Sequence, residues 1–266
     1  MSFDPAALSP RRQLDALARI RSATDGSQVT LWWCGDVYAA APHAPYRRIF
    51  GFEGVNVSRL VEVDGGWELL AREAAFYLDP HDRSIAERWL NPETGEEVAV
   101  GHVWNDPANQ RWLVDSPRGP FRLPMTVLGD QVCVNVDVPL AYPSPLPTSQ
   151  YPDNSADDTY RALELFQFYA PLAALADESV LSVPHTLSWS RVSPWLPWMR
   201  MGKRAGGLVF HCRGRKLGAW NEAPARIRTY IAEHHPEYAT APQAWSEPNE
   251  TSWTYFRRQH PKQGPQ

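Results

Sequence analysis

The chain has 266 residues, of which 43% are apolar, with 25 prolines and a formal net charge of −4. This acidic balance gives no general attraction to phosphate backbones or anionic lipid, so we expect neither nucleic acid nor a membrane as a partner. The first 23 residues lack the apolar core of a signal peptide, and no apolar run approaches the roughly 18 residues of a membrane span. Three widely spaced cysteines suit a reducing compartment, and the sequence predicts a cytoplasmic protein.

The N-terminal segment, residues 1–26, predicts a helix. Ser9 is a good helix cap, and Pro10 is well placed in the first turn. The apolar side chains that follow recur at helical spacing and are Leu14, Leu17 and Ile20. We expect this helix to pack on the body of the fold.

From Val29 onward the pattern changes to that of β-strands, which alternate or concentrate apolar residues between turns. Asp64-Gly65-Gly66 separates two such runs and predicts a hairpin. A second hairpin is predicted across residues 91–95 and another pair of strands across Gly129-Asp130. About nine or ten antiparallel strands are expected in total.

The second half of the chain mixes loop, helix and strand signals. Residues 143–158 contain four prolines and predict a long loop, which could be a functional lid or a plain surface connection. Residues 159–177 predict a largely buried helix, kinked or interrupted at Pro171. Residues 224–234 predict an amphipathic helix, residues 252–259 a strand that closes a sheet, and residues 260–266 a disordered tail.

Together these elements predict a single domain over residues 1–266. The expected class is α+β, mainly antiparallel β, built as a barrel or strongly curved, lipocalin-like sheet with two or three peripheral helices. A barrel of this strand number can hold one small ligand. The usual nucleotide, flavin and zinc motifs are missing from the sequence, and we predict no cofactor. A metal site assembled from His102, His185 and Glu73 is left open.

The candidate catalytic residues concentrate between residues 72 and 106. Glu73 and Tyr77 are four apart, so a strand would present both side chains on one face, towards a barrel lumen. On a strand, the side chains of His102 and Trp104 would lie on the same face and that of Asn105 on the opposite face. Because histidine titrates near neutral pH, we predict that His102 acts as a general acid or base.

A second cluster is rich in tryptophan and methionine. Arg191 lies between two tryptophans, and a guanidinium in such company can stack and still bind a carboxylate or phenolate. The aromatic and methionine side chains could form a lid over an aromatic ligand, or a hydrophobic plug for the end of the sheet. The predicted substrate-binding residues are Trp104, Asn105, Trp189, Trp195, Trp198, Met199, Met201, His185 and Tyr255.

In these stretches the chain resembles a bacterial and fungal family that carries only a serial label, domain of unknown function eighteen thirty-eight. The matching segments are REAAFYLDP, NPETGEEVAVGHVWNDP, SPWLPWMRMG and NETSWTYF. The resemblance implies a single β-rich, barrel-like domain that is often encoded among genes for aromatic or natural-product metabolism. It implies no established cofactor.

These observations lead to two functional hypotheses. In the first, the protein is a cofactor-independent lyase or isomerase of a small hydrophobic aromatic compound, such as a lignin-derived phenylpropanoid dimer. His102 or Tyr77 would act as base, with Glu73 beside Tyr77, and Arg191 would stabilise the anion before elimination or retro-aldol loss of a small aldehyde. In the second, the protein is a non-catalytic carrier of a small hydrophobic ligand. A homodimer is possible in either case.

Overall fold

The structure, a computed structural model, describes residues 4–117 and 119–262 and is built mainly of antiparallel strands. Within that part of the chain there are fourteen strands: β1 (Val29–Ala40), β2 (Arg47–Val63), β3 (Gly66–Leu78), β4 (Arg88–Leu90), β5 (Glu97–Ala99), β6 (Val103–Asn105), β7 (Gln110–Leu113), β8 (Asp115–Ser116), β9 (Gly119–Pro120), β10 (Met125–Leu128), β11 (Gln131–Pro143), β12 (Thr159–Pro171), β13 (Thr186–Ser193) and β14 (Gly207–Leu217). The α-helices are α1 (Pro10–Arg21), α2 (Leu172–Ala176), α3 (Ala225–His234) and α4 (Ser252–Gln259). The class is therefore α+β, with four helices in the described residues where two or three were predicted.

Ten strands form one sheet in the order β10, β11, β12, β13, β14, β1, β2, β3, β6, with β7 also paired to β3. The pairing of β1 with β14 brings the two halves of the chain together at the middle of the sheet. In the described residues, the two ends of the sheet are not hydrogen-bonded to each other, so the sheet is open and no closed barrel is present. Two short ribbons, β4 with β5 and β8 with β9, complete the strands.

The predicted hairpins are confirmed. β2 and β3 join through a tight turn in which Val63 pairs with Gly66 and Gly65 adopts a φ of 74°, a conformation that glycine accepts without steric cost. β4 and β5 flank the second predicted turn, and β10 and β11 flank the third. Sequence alternation and turn chemistry therefore predicted the local pairing of neighbouring strands.

Helix α1 begins as the sequence predicts. The Ser9 hydroxyl accepts a hydrogen bond from the backbone N–H of Arg12 at 3.3 Å and caps the first turn. The apolar stripe is buried, with Leu14 packed over β2 and β3 and Ile20 in the main core. Burial of this stripe fixes the C-terminal end of α1, where Arg21 lies, against the sheet.

Strand β3 is buried on both faces, and its residues alternate between two surroundings. Ala75 and Tyr77 belong to the main core, whereas Phe76 and Leu78 pack beneath α3. Helix α3 packs Ile227 and Ile231 into the same hydrophobic cluster as Phe76 and Leu78. One face of β3 therefore borders the main core, and the other face packs against helix α3.

The prediction of a buried helix at residues 159–177 is wrong for most of its length. Residues 159–171 form β12, which pairs along its whole length with β11, and only Leu172–Ala176 is helical. Leu163 and Leu165, each 38% exposed, lie on the outer face of β12. Because these outward-facing side chains are apolar, the segment lacks the alternation of polar and apolar residues that is typical of a strand. Its sequence therefore resembles that of a helix buried on all sides.

The predicted final strand at residues 252–259 is also wrong, because this segment is helix α4. Thr251 and Thr254 form a capping box: each side chain accepts a hydrogen bond from the backbone N–H of the other, at 3.2 and 2.8 Å. Trp253 is the buried residue of the helix and packs edge-on against Tyr160, with ring centroids 4.6 Å apart. The cap outweighs the β-propensity of the Trp, Thr, Tyr and Phe run.

Residues 144–158, within the predicted loop, contain neither helix nor strand. The loop is nevertheless attached to the body through Tyr151, which is buried and donates its hydroxyl to the carbonyl of His260 at 3.0 Å. Of the predicted tail, residues 260–262 are described, and residues 263–266 lie outside the described residues. No helix in the described part of the chain is long and apolar enough to cross a membrane.

A buried carboxylate joins α3 to the sheet. Glu53 on β2, 2% exposed, accepts hydrogen bonds from the indole N–H of Trp32 at 2.9 Å and from Nε of Arg226 at 2.7 Å. Charge-assisted hydrogen bonds of this kind contribute more to stability than neutral ones. This contact holds the start of α3 over the outer face of the sheet.

We predict that Glu53→Gln lowers the free energy of unfolding by about 2–3 kcal/mol, because it removes the charge that pairs with Arg226. The measurement is urea denaturation. The matched control is Glu97→Gln, which breaks the pair with Arg88 where both side chains are more than half exposed, and it should cost less than about 1 kcal/mol. Equal losses in the two variants would contradict a structural role for Glu53.

Candidate functional site

The inner face of the sheet encloses a cavity of about 300 Å³. Its walls come from strands across most of the sheet and from residues 249–253 at the start of α4. The lining side chains that carry the argument below are Arg21, Trp33, Phe52, Glu73, Tyr77, Asn105, Tyr142, Glu164, Phe166, Trp189, Arg191, Phe210 and Trp253. A cavity of this size and mixed lining is typical of a small-molecule site.

One wall of the cavity is aromatic. The ring of Phe52 lies 5.1 Å from Tyr77, 5.2 Å from Phe210 and 6.2 Å from Trp189, measured between centroids. The Phe52–Phe210 pair is edge-on, an arrangement that aromatic rings prefer. The wall offers flat apolar surfaces to a ligand ring, and its residues come from β2, β3, β13 and β14.

The position of Trp33 in the cavity depends on a glycine in the neighbouring strand. A Cβ added to Gly54 would lie 2.5 Å from Cζ2 of Trp33 and 2.6 Å from Cβ of Ala75, closer than real contacts allow. The absence of a side chain at Gly54 therefore lets the indole lie across β2. The indole nitrogen of Trp33 is buried and has no hydrogen-bond partner in the described part of the protein.

Glu73 on β3 is the titratable group best suited to proton transfer. Burial, followed by repulsion from Glu164, raises the pKa of its carboxyl to about 7, although Arg191, Arg21 and a hydrogen bond from Asn105 oppose the shift. The Asn105 amide nitrogen donates to Oε1 of Glu73 at 3.2 Å. A carboxyl with a pKa near 7 can both accept and return a proton at neutral pH.

Tyr77 lies one strand repeat further along β3 and lines the same cavity. Burial raises the pKa of its hydroxyl above the ordinary value of 10, and attraction to Arg191 only partly opposes the shift. The phenol therefore stays protonated at neutral pH and acts as a hydrogen-bond donor or acid. This argues against the predicted role of Tyr77 as a base.

Arg191 on β13 is held in a partly buried network. Its Nη1 donates to Oε1 of Glu164 at 2.7 Å, and its Nη2 donates to the hydroxyl of Tyr160. The neighbouring strand register, in which Glu164 of β12 lies opposite Arg191, produces this pair. Much of the charge of Arg191 is therefore compensated before any ligand binds.

His102 lies just before β6 and does not line the cavity. Its Nδ1 accepts a hydrogen bond from the backbone N–H of Tyr77 at 3.3 Å, and its ring packs against Phe76 and Tyr230 on the α3 side of the sheet. Burial, with a smaller contribution from His234, lowers the pKa of His102 to about 4. A neutral imidazole in this position supports the packing of β3.

Trp104 and His185 also lie outside the cavity. Trp104 stacks beneath α3 with Tyr230, at a centroid distance of 6.3 Å, as expected from its shared parity with His102. His185 precedes β13, packs edge-on against Phe168 at 5.3 Å and is buried. Burial, with repulsion from Lys216 and Arg21, lowers the pKa of His185 to about 3.

The tryptophan and methionine cluster belongs to the main hydrophobic core. Trp195, Trp198, Met199 and Met201 are buried, and none of them lines the cavity. The amide of Asn91 donates to the carbonyl of Met199 at 2.8 Å and to the sulfur of Met201 at 3.2 Å. The segment is therefore fixed against the β4–β5 ribbon. Tyr255, on α4, faces an outer groove instead of the cavity.

The structure thus brings together five of the thirteen predicted site residues, which are Glu73, Tyr77, Asn105, Trp189 and Arg191. It separates His102 and His185 from Glu73, so the possible metal site is not assembled by these residues. In the described residues no group of three or more His, Cys, Asp or Glu side chains is placed to hold a metal ion.

Sequence reasoning missed Arg21, which ends α1 and lines the cavity. Its guanidinium lies over the rings of Phe168 and Trp112, at 5.6 and 5.9 Å from their centroids. A basic residue in the last turn of a helix is ordinarily explained by the helix dipole, and this common explanation conceals its position in the site. Trp33 was missed because it belongs to an apolar strand run.

We predict that Glu73→Gln stabilises the protein above pH 7 relative to wild type. Its folded-state pKa of about 7 exceeds the ordinary value of 4.5, so the native state holds more protons between these values and wild-type stability falls as pH rises through them. Glutamine stays neutral, and the variant should gain about 3 kcal/mol at pH 8 and almost nothing near pH 4.5. Urea denaturation at both pH values measures this, with Glu97→Gln as surface control. A constant difference across pH would refute the shifted pKa.

The comparison with known proteins gives one result for the chain as a whole. No curated protein matches it in sequence. The family model described as protein of unknown function (DUF1838) matches residues 26–260. This range begins after α1 and includes all the described strands and α4, and so the strand and α4 residues that line the cavity. The chain therefore belongs to the DUF1838 family of proteins of unknown function.

Proposed function

We propose that this protein is a cofactor-independent lyase or isomerase that acts on a small hydrophobic aromatic compound, of the lignin-derived phenylpropanoid type. The observation that carries the proposal is a carboxyl with a pKa of about 7, Glu73, in an aromatic cavity beside a protonated phenol, Tyr77. Pairs of titratable groups whose environments separate their pKa values are typical of acid–base catalysis. The base is assigned to Glu73 instead of His102.

In the retro-aldol case, Glu73 removes the proton of a hydroxyl group that lies one carbon away from a benzylic position. The O–H electron pair becomes the second bond of a departing aldehyde, and the pair of the broken C–C bond passes through the benzylic carbon to a conjugated carbonyl of the substrate, which becomes an enolate. Glu73 then returns its proton to the benzylic carbon, directly or through Tyr77, so the reaction needs no oxidant and no second substrate. Elimination and isomerisation use the same two proton transfers.

The surroundings support charge development during such a reaction. Tyr77 can donate a hydrogen bond to a developing oxyanion, and the positive field of Arg191 reaches the cavity although Glu164 shares its charge. The aromatic wall of Phe52, Trp189 and Phe210 excludes water and strengthens these interactions. In the proposed reaction these side chains carry out the proton transfers and stabilise the developing charge without a cofactor.

A strongly curved, lipocalin-like enclosure is part of the proposal. Strands β11 and β3 both line the cavity, yet they lie six strand positions apart in the sheet. A flat sheet would separate them by about 29 Å, at roughly 4.8 Å per strand, so curvature is needed for both to reach one ligand. We also propose that the protein works in the cytoplasm, where Cys34, Cys133 and Cys212 would stay reduced as free thiols.

The test is incubation of the purified protein with phenylpropanoid dimers and aromatic alcohols, followed by mass spectrometry for mass loss or isomerisation. On a substrate that reacts, we expect kcat to fall roughly 100-fold or more for Glu73→Gln and for Tyr77→Phe. His102→Gln should keep kcat within about 3-fold, because His102 does not reach the cavity. In wild type, kcat/KM should rise with pH to a plateau, with an apparent pKa of about 7.

Full loss of turnover in His102→Gln with normal turnover in Glu73→Gln would overturn the assignment of the base. The aromatic lining suits a non-catalytic carrier equally well, and binding separates the two functions. Quenching of tryptophan fluorescence by the ligand should persist in Glu73→Gln while turnover stops. Binding across the whole panel without product from wild type would favour the carrier.

A further inference from the structure

Arg21 is partly buried and differs from Arg19 and Arg191 in having no hydrogen-bond or ion-pair partner among the described residues. Arg19 donates to three backbone carbonyls at 2.7–3.2 Å, and Arg191 donates to Glu164 and Tyr160. Arg21 makes no hydrogen bond or ion pair with any described residue, and its Nε is buried without an acceptor. A buried charge that lacks a partner is costly to the folded state.

The local contacts of Arg21 hold its guanidinium in place without neutralising it. The group lies over the rings of Phe168 and Trp112, which provide stacking surfaces and no acceptors. Burial lowers the pKa of Arg21, with Glu73 and Glu164 opposing the shift, yet a guanidinium stays protonated in proteins. The cavity therefore contains a fixed positive charge with unused donors.

The other ionisable groups of the cavity do not cancel this charge. Glu164 is paired with Arg191 and Glu250 with Arg258, at 2.7 Å in each case. Glu73 is protonated in a large fraction of molecules at neutral pH. Two further donors in the lining, the indole nitrogens of Trp33 and Trp189, are also buried without partners. Among the described residues of the lining, these three unpaired donors face one unpaired acceptor, Oδ1 of Asn105, and the guanidinium of Arg21 has no ion-pair partner.

We infer that the ligand of this cavity is an aromatic carboxylate, whose carboxylate group is bound by the guanidinium of Arg21. A carboxylate presents two oxygens in one plane, which the guanidinium fork binds in parallel. A single negative charge compensates Arg21, whereas a phosphate dianion would place a second charge beside Glu73 and Glu164. The indole N–H groups would serve other oxygens of the same ligand. This inference rests on the proposed function for its aromatic ligand and adds the anionic group.

The test compares binding of matched probes by isothermal titration calorimetry, with no turnover required. The probes are 4-hydroxycinnamic acid and 4-hydroxycinnamamide, and benzoic acid and benzamide as a smaller pair. Wild type should bind each acid roughly 10- to 100-fold more tightly than its amide, as expected for charge-assisted hydrogen bonds in a buried site. Arg21→Gln should remove this preference, and Arg21→Lys should retain part of it.

The matched control is Arg88→Gln, which changes the net charge equally at an exposed pair with Glu97 and should leave the preference unchanged. The melting temperature of ligand-free Arg21→Gln should equal or exceed that of wild type, because the change removes a charge that has no ion-pair partner. A lower melting temperature would indicate a structural role for Arg21 and overturn the inference. The inference is also overturned if wild type binds neither acid, shows no preference for acids, or keeps its preference in Arg21→Gln. Acid binding without turnover would count against the proposed function alone.

Discussion

The site depends on one constraint, the burial of β3 on both faces. Because side chains alternate along a strand, Glu73 and Tyr77 can reach the cavity only if Phe76 lies under α3. A shift of register by one residue would exchange the two sets and place apolar rings where the proton-transfer groups now lie. Packing of α3 and the chemistry of the cavity are therefore fixed by the same register.

Electrostatics then divides the charged groups of the cavity into two kinds. Arg191 and Glu164 neutralise each other, so their network with Tyr160 is rigid and suited to shaping the field. Arg21 and Glu73 do not form such a pair. Arg21 is a cation without an ion-pair partner, and burial disfavours the anionic form of Glu73, so each charge raises the free energy of the folded protein. Proteins retain unfavourable charges of this kind at sites where a ligand compensates them. The compensation then contributes to the free energy of ligand binding.

Local patterns predicted the hairpins, the first helix and the shared face of Glu73 and Tyr77, because these depend on spacing along one or two strands. They did not predict that Arg21 would reach the same cavity, since that contact joins a helix end to distant strands. The choice of His102 followed from residue type, although its parity with Trp104 already opposed that of Asn105. The alternation of side chains along a strand therefore predicted which side chains line the cavity, whereas residue type alone did not.

Gly54 shows how far the requirements of the cavity extend beyond its lining. Gly54 has no side chain, and the indole of Trp33 and the methyl group of Ala75 fill the space above its Cα. A mutational survey restricted to residues that touch a ligand would omit it. Among related sequences, a larger residue at the position of Gly54 should occur together with a smaller residue at the position of Trp33, because the two side chains occupy the same space. Variation at either position alone would not show this relation.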